Sequence, residues 1–250
     1  KVDGNYCIFS NFSIKRKKAK TDAQRGKIFT KLGREISVAV KEGGSDPELN
    51  SRLKDAIAKA KAENMPNDNI ERSIKRAAGQ LGSINYEEIT YEGYGANGVA
   101  IIVEALSDNR NRTAGEMRYL FDRGGGSLGA TGCVSWMFEK KGVIVIEKTS
   151  DIDEDDLIMC ALDAGAEDVR DEDEVFEVIT QPSDFSDVRN YLEENNFKFV
   201  SADIEMLPES YVKLNEEQST KVLSLVEQLE DNDDVQKVYH NLDLDGLELE

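Results

Sequence analysis

The order of strand and helix patterns between residues 142 and 206 constrains the fold most strongly. Short apolar runs and apolar residues at helical spacing predict strands at 143–147, 168–170, 175–179 and 199–206, and helices at 153–163 and 183–194. The resulting βαββαβ order is that of a ferredoxin-like unit. The sequence therefore predicts one α+β domain over these residues.

A second set of strand patterns precedes this unit. "YEEITYEGYG" and "GVAIIVEAL" are joined by "ANG", a hairpin signal; "TAGEMRYLFDR" predicts a helix capped by Thr113, and "CVSWMFEKKGVIVIEK" predicts two strand segments around "KKG". A late helix, 216–230, and strand, 235–240, have no partners of their own. We expect them to complete this sheet, so that domain 142–206 is inserted into a domain formed by 81–141 and 207–250.

The first 80 residues show helical periodicity. The first predicted helix begins at Asp22, Pro66 ends the second, and Asp68 and Glu71 have capping-box spacing at the start of the third. The predicted fold class is thus a multidomain α and α+β protein. A helical N-terminal domain, 1–80, is followed by two α+β (ferredoxin-like) domains, the second inserted in the first.

Charge separates the helical part from the remainder of the chain. The protein has 31 Lys and Arg against 50 Asp and Glu, a formal net charge of −19. Residues 1–80 nevertheless hold 18 basic against 10 acidic residues, whereas residues 81–250 hold 13 against 40. Such asymmetry indicates a basic module that meets polyanions, attached to an acidic and soluble body.

The cations concentrate in a basic segment, residues 15–34. They are predicted nucleic-acid contacts: Lys15, Arg16, Lys17, Lys18, Lys20, Arg25, Lys27, Lys31 and Arg34. Nucleic-acid phosphates are natural counterparts, because each neutralised phosphate releases condensed counterions. The alternative is a solvated helix face whose cations pair with the acidic domains. The four consecutive cations at 15–18 favour the first interpretation, because they repel one another without an anionic partner.

Two further arginines precede the helix predicted at Thr113. Arg110 and Arg112 are expected close to helix N-terminal amides, which favour anions. We hypothesise a secondary phosphate contact there. Solvated loop arginines are the alternative.

Features of catalytic, metal and membrane sites are sparse. The single histidine, His240, is in a predicted strand, where an ordinary structural role is the simpler interpretation. Cys7, Cys133 and Cys160 form no CxxC pair, and no apolar run reaches the roughly 18 residues of a membrane span. The expectation is a non-enzymatic, reduced cytoplasmic protein with no cofactor, no metal site and no membrane partner.

Two stretches resemble ligand loops without meeting their requirements. "RGGGSLGATG", residues 123–132, lacks the GxxxxGK[ST] order and follows a helix, so a flexible loop is the better interpretation. The acidic runs "DIDEDD" and "DNDD" lack the glycine and terminal glutamate of an EF-hand. Neither stretch predicts a ligand.

The chain also resembles a known family along most of its length. "KRKKAKTDAQRGKIFTKLGREISVAVKEGGSDPELNSRLKDAIAKAKAENMPNDNIERSIKRAAG", "YEGYGANGVAIIVEALSDNRNRTAGEMR" and "GGGSLGATGCVSWMFEKKGVI" are similar to the YebC family, which includes the mitochondrial translational activator of cytochrome c oxidase. The resemblance implies a helical N-terminal domain and two α+β domains. It also implies one of two roles: a DNA-binding transcriptional regulator, or a ribosome-associated factor that assists translation, notably of proline-rich stretches.

One element of the family pattern is absent. Family members usually begin with "GHSKW", whereas this chain reads "KVDGNYCIFSNF" at the matching place, without the Trp and His.

The expected partner remains a nucleic acid, either ribosomal RNA or duplex DNA, with the ribosome as a further candidate. The competing hypothesis is a protein-interaction module whose acidic α+β domains bind a basic partner. Phosphate contacts do not distinguish DNA from RNA, and no sequence feature fixes the oligomeric state.

Overall fold

The computed structural model describes residues 22–79, 84–149, 152–172 and 174–244, with the backbone alone for 22–24. The chain forms two compact units. One comprises the described residues up to Val134 together with Leu214–His240, and the other comprises Ser135–Lys213 and the described residues from 241 onward. The three predicted domain ranges remain predictions.

The helical region contains α1 (Asp22–Gly43), α2 (Ser51–Ala62) and α3 (Asn67–Ala77). Its core contains buried apolar residues from all three helices: Leu32, Ile36, Ala39, Val40, Leu53, Ala56, Ala60, Ile70 and Ala77, with Met65 from the α2–α3 connection. The capping box predicted for α3 is wrong. Pro66 occupies the N-cap position and provides no side-chain cap, while Asp68 lies within the first turn.

Asn50 connects α1 to α2. Its Oδ1 accepts a hydrogen bond from Leu53 N at 3.0 Å, and its Nδ2 donates to the carbonyls of Ala39 at 2.7 Å and Gly44 at 2.8 Å. The buried Asn50 amide leaves no room for a side chain at Gly43, where α1 ends. One side chain thus caps α2 and joins it to the end of α1.

The elements of the first sheet and its helices are β1 (Glu87–Tyr94), β2 (Ala100–Ser107), α4 (Arg110–Arg123), β3 (Ser127–Leu128), α7 (Glu216–Glu230) and β8 (Val235–His240). The strand order of this sheet is β3-β1-β2-β8. β1 and β2 form the predicted antiparallel hairpin. β8 pairs antiparallel with β2, so residues from the end of the described chain complete the sheet that begins at Glu87.

The glycine-rich stretch is part of this sheet. β3 pairs with β1, and Gly129 N donates to the Glu92 carbonyl at 2.8 Å. The buried Glu92 carboxylate accepts hydrogen bonds from Gly132 N at 2.7 Å and Val134 N at 2.9 Å. The stretch is thus a loop with one short edge strand, which the buried Glu92 carboxylate anchors against β1, and its flexibility stays a prediction.

The elements of the second sheet and its helices are β4 (Phe138–Glu147), α5 (Glu154–Asp163), β5 (Asp168–Asp171), β6 (Val175–Thr180), α6 (Phe185–Glu194) and β7 (Phe199–Pro208). The strand order of this sheet is β5-β6-β4-β7, as expected for a ferredoxin-like unit. Ile144, Leu157, Val178 and Leu192 are fully buried in its core. The described residues thus contain seven α-helices and two four-stranded antiparallel sheets, which confirms the predicted fold class.

The prediction of two strand segments around "KKG" is wrong. β4 is continuous through Gly142, which pairs with Thr180 on one side and Ile204 on the other. A side chain at Gly142 would collide with Thr180 and Phe185. The glycine thus permits close packing within one strand, and it does not mark a turn.

Candidate nucleic-acid interface

Five predicted contact residues lie outside the described residues: Lys15, Arg16, Lys17, Lys18 and Lys20. The described part of the basic segment belongs to α1. It contains Arg25, which is exposed, and then Lys27, Lys31 and Arg34, which are partly buried. The contacts of these side chains show whether each residue pairs with the acidic part of the protein, as the alternative interpretation holds, or stays a candidate for contact with nucleic acid.

Lys27, Lys31 and Arg34 share one face of α1 and contact an acidic turn, residues 230–234. Lys27 Nζ lies 3.0 Å from Asp231 Oδ1, and Lys31 Nζ donates to the Glu230 carbonyl at 2.6 Å. Burial lowers the pKa of Lys31, and the nearby carboxylates of the acidic turn oppose that effect. For these cations the structure shows pairing with the protein's own acidic residues; contact with nucleic acid stays a prediction.

Asp234 is the centre of this contact. Arg34 forms an ion pair with its Oδ1 and also donates to the Leu106 carbonyl at 2.9 Å. Arg112 Nη2 and Thr113 Oγ1 donate to the other carboxylate oxygen at 2.7 and 2.5 Å. The Asp234 side chain is only 4% exposed. The carboxylate therefore links α1, α4 and the turn before β8.

The environment of Asp234 strongly favours its ionised form. Burial alone would raise the pKa, but hydrogen bonds from Thr113, Arg112 and Arg34 outweigh burial and lower the pKa to about 2, from an ordinary value of 3.8. A carboxylate with a lowered pKa stabilises the fold fully above its unfolded pKa, and this contribution disappears as the pH falls through the folded pKa.

We therefore expect a specific acid dependence. The difference in the free energy of unfolding between wild type and Asp234→Asn should be constant at neutral pH and should shrink as the pH falls from about 4 to about 2. Urea titrations at a series of pH values measure this difference. A difference that does not change across this range would contradict the lowered pKa of Asp234.

The predicted secondary site has a different geometry from that expected. α4 begins at Arg110 and its N-cap is Asn109, whose side chain accepts from Arg112 N, so the prediction of Thr113 as the cap is wrong. Thr113 is fully buried, and its hydroxyl donates a hydrogen bond to Asp234. Arg110 and Arg112 thus lie in the first helical turn, and not in a preceding loop.

Arg112 is surrounded by carboxylates. It contacts Asp108 at 2.8 Å and Asp234 at 2.7 Å, and Glu116 lies 3.9 Å away. These groups line a recess of about 430 Å³ that Asp233 also lines, so an incoming phosphate meets four carboxylates there. Arg110 is exposed. The secondary contact by these two arginines stays a prediction, and the carboxylates weigh against Arg112.

Sequence reasoning missed two arginines on α3. Arg72 and Arg76 are exposed, and they form no ion pair within the described part of the chain. Both line a groove of about 370 Å³ between α1 and α3. Their spacing of four residues was a usable signal, because it puts two cations on one face of the predicted third helix.

His240 and Cys133 have side chains of the kinds that occur in catalytic and metal sites, and burial shifts the pKa of each. Burial lowers the pKa of His240 to about 3, and burial together with Glu92 raises the pKa of the Cys133 thiol. Among the described residues, no group of three His, Cys, Asp or Glu side chains could hold a metal ion. In the same residues, no helix has the length and apolar character needed to cross a membrane.

Comparison with known families covers nearly the whole chain. Residues 11–80 match the family described as "TACO1/YebC protein N-terminal domain", and residues 86–242 match "TACO1/YebC second and third domain". The chain belongs to the TACO1/YebC family. The predicted family membership is therefore confirmed, and the two matched regions of this TACO1/YebC chain contain all seven described helices and both sheets.

Curated TACO1/YebC-like relatives are similar over most of their length. A "Probable transcriptional regulatory protein" from Acetivibrio thermocellus is 63% identical, over 92% of this chain and 95% of the relative. A similarly named protein from Clostridium acetobutylicum is 58% identical, over 93% of this chain and 95% of that relative. The crystal structure of a conserved hypothetical protein from Aquifex aeolicus matches this TACO1/YebC chain with a TM-score of 0.81 and 47% identity, over 89% of this chain and 92% of that one.

Proposed function

We propose that this protein is a non-enzymatic, cytoplasmic regulator of gene expression that binds nucleic acid through its N-terminal region, with structured RNA such as ribosomal RNA as the target. The charge separation carries the proposal: residues 1–80 are basic although the whole chain is strongly acidic. An acidic body suppresses indiscriminate binding to polyanions, whereas a local cationic cluster retains attraction to phosphates. No cofactor or catalytic group is part of the proposal.

The contacts of α1 narrow the surface available to phosphates. Lys27, Lys31 and Arg34 are engaged by the acidic turn, so nucleic acid would have to displace those contacts. The five cations at 15–20 lie outside the described residues, and the four consecutive cations at 15–18 repel one another without an anionic partner. We therefore assign the main phosphate contacts to Lys15, Arg16, Lys17, Lys18 and Lys20, with Arg25 next to them.

The composition of α3 favours RNA over duplex DNA. A helix that reads the major groove lies between two rows of phosphates, which repel carboxylates on its outer face. Exposed Asp68 and Glu71 alternate with Arg72 and Lys75 on α3. A mixed-charge helix beside a basic segment suits an irregular phosphate surface better than a regular groove. Association with the ribosome during difficult elongation, as on proline-rich stretches, is the form of this role that we favour.

Duplex DNA is the second candidate target. The printed names of the relatives from Acetivibrio thermocellus and Clostridium acetobutylicum describe probable transcriptional regulatory proteins, and their high identity supports a shared role. The protein-interaction hypothesis, with acidic domains that bind a basic partner, is the remaining alternative.

A competition experiment tests the proposal. Full-length protein is bound to a labelled RNA hairpin at about 0.15 M salt and is challenged with unlabelled hairpin or with a DNA duplex of equal phosphate number. We expect the hairpin to compete at lower concentration. A DNA site that wins by several kcal/mol, as true operators do, would make the protein a DNA-binding regulator. Failure to bind either nucleic acid would leave the interaction-module hypothesis.

A further inference from the structure

The groove between α1 and α3 combines positive charge with aromatic surface. Phe29 and Arg34 from α1, Arg72 and Arg76 from α3, and Tyr86 from the segment before β1 are among its lining residues. The two helices approach closely at two further lining residues, since a Cβ atom added at Gly33 would lie 3.3 Å from Ser73 Oγ. The volume of about 370 Å³ is in the range of small-ligand sites, so the groove can hold a group of nucleotide size.

The two α3 arginines are arranged for an anion. They are one helical turn apart, and like charges at this spacing destabilise a helix unless a partner neutralises them. Lys75, on the same helix, is paired with Glu71 at 3.1 Å, whereas Arg72 and Arg76 form no such pair among the described residues. Guanidinium groups also bind phosphate with two parallel hydrogen bonds. A phosphate is therefore the ligand group that fits this pair.

Tyr86 provides an aromatic surface in the same groove. The Arg34 guanidinium carbon lies 5.3 Å from the Tyr86 ring centroid, and Arg34 is itself held by Asp234. The ring is thus positioned through a buried ion pair. Stacking on such a ring favours unpaired bases, because the bases of a duplex are already stacked on one another.

We propose that this groove binds one unpaired nucleotide of an RNA chain, with its phosphate on Arg72 and Arg76 and its base against Tyr86. The inference rests on the proposed nucleic-acid-binding function and deepens it by naming a site and a structural preference. It predicts that the protein favours RNA with unpaired nucleotides over fully paired RNA.

The arginine pair is tested with a labelled single-stranded adenosine octanucleotide. Arg72→Ala/Arg76→Ala should weaken its binding about 25-fold near 0.1 M salt and flatten the plot of log affinity against log salt by about 1.4, the sum for two single-strand contacts. Arg72→Lys/Arg76→Lys should keep most of the slope. The control Lys54→Ala/Lys75→Ala removes two positive charges outside the groove and should leave the slope unchanged. If Arg72→Ala/Arg76→Ala and Lys54→Ala/Lys75→Ala lost affinity for the octanucleotide equally, the proposal would be overturned.

Substitutions of Tyr86 provide an independent test of the groove proposal. Tyr86→Leu should weaken octanucleotide binding about tenfold without changing the salt slope, and Tyr86→Phe should bind like wild type, because stacking needs the ring and not the hydroxyl. Thermal unfolding of each variant checks that it is folded. If an equal concentration of adenosine monophosphate displaced the octanucleotide, the ligand would be a free nucleotide, and the proposal that the groove binds a nucleotide of an RNA chain would be overturned.

The outcomes separate the two proposals. If wild type binds neither the octanucleotide nor a paired RNA hairpin, the proposed function fails. If wild type binds both, and the arginine and tyrosine variants behave like their controls, the groove proposal alone fails.

Discussion

Replacing Asp234 by asparagine should lower the free energy of unfolding by about 2–3 kcal/mol and the melting temperature by about 5–10 °C. The change leaves the partly buried Arg34 and the buried Thr113 without the carboxylate that satisfies them. Breaking a buried pair at one partner costs about 3–5 kcal/mol, and we expect less here because Arg112 is partly exposed and finds water. Urea and thermal unfolding of the full chain measure the effect.

Asp233→Asn is the matched control for this prediction. Asp233 precedes Asp234, is exposed, and carries the same charge. Its replacement should change stability by no more than about 0.5 kcal/mol, as is usual for surface positions. Equal effects of the two substitutions would show that overall charge matters and that the contact between α1, α4 and the acidic turn does not stabilise the fold.

The elements that were predicted most accurately are those with clear local signals. α7 and β8 have the predicted bounds, Glu216–Glu230 and Val235–His240. The strand order of the second sheet also follows from the βαββαβ pattern, because few arrangements are compatible with that connectivity. The spacing of apolar residues was enough in these places.

The errors arose where a distant partner determines the role of a residue. Thr113 has the local spacing of an N-cap, but its hydroxyl bonds Asp234, which is 121 residues away in sequence. Asn109 is free to cap α4 instead. No local pattern around Thr113 contains that information. Its complete burial is the signal that only tertiary structure provides.

The basic segment shows the same limitation at the candidate site. Nine cations predicted a single phosphate-binding stretch, yet three of them contact the acidic turn near the end of the chain. The helical spacing of Lys27, Lys31 and Arg34 beside the apolar face of α1 could have indicated a docked surface. The sequence does not identify the acidic turn as its partner, because it gives no measure of the distance between segments about 200 residues apart.

The largest expected effect concerns the cations that precede α1. Lys15→Glu/Arg16→Glu/Lys17→Glu/Lys18→Glu should weaken binding of the RNA hairpin by at least about 10³-fold near 0.1 M salt, because four phosphate contacts each contribute a slope of about 0.7–0.9. The plot of log affinity against log salt should flatten by about 3. Fluorescence anisotropy between 0.05 and about 0.5 M salt provides both quantities.

Charge reversal also alters long-range attraction, so the control must carry the same change in net charge. Lys61→Glu/Lys140→Glu/Lys198→Glu/Lys213→Glu reverses four exposed lysines outside the basic segment. Through general repulsion this control should slow association and weaken binding modestly, but its salt slope should stay close to that of wild type, because no phosphate contact is lost. If both quadruple variants flatten the slope equally, the basic segment does not bind phosphates more than other surface lysines do.

A wild-type slope that is shallow from the outset would contradict counterion release itself. Lys27, Lys31 and Arg34 would then have a structural role, as partners of the acidic turn.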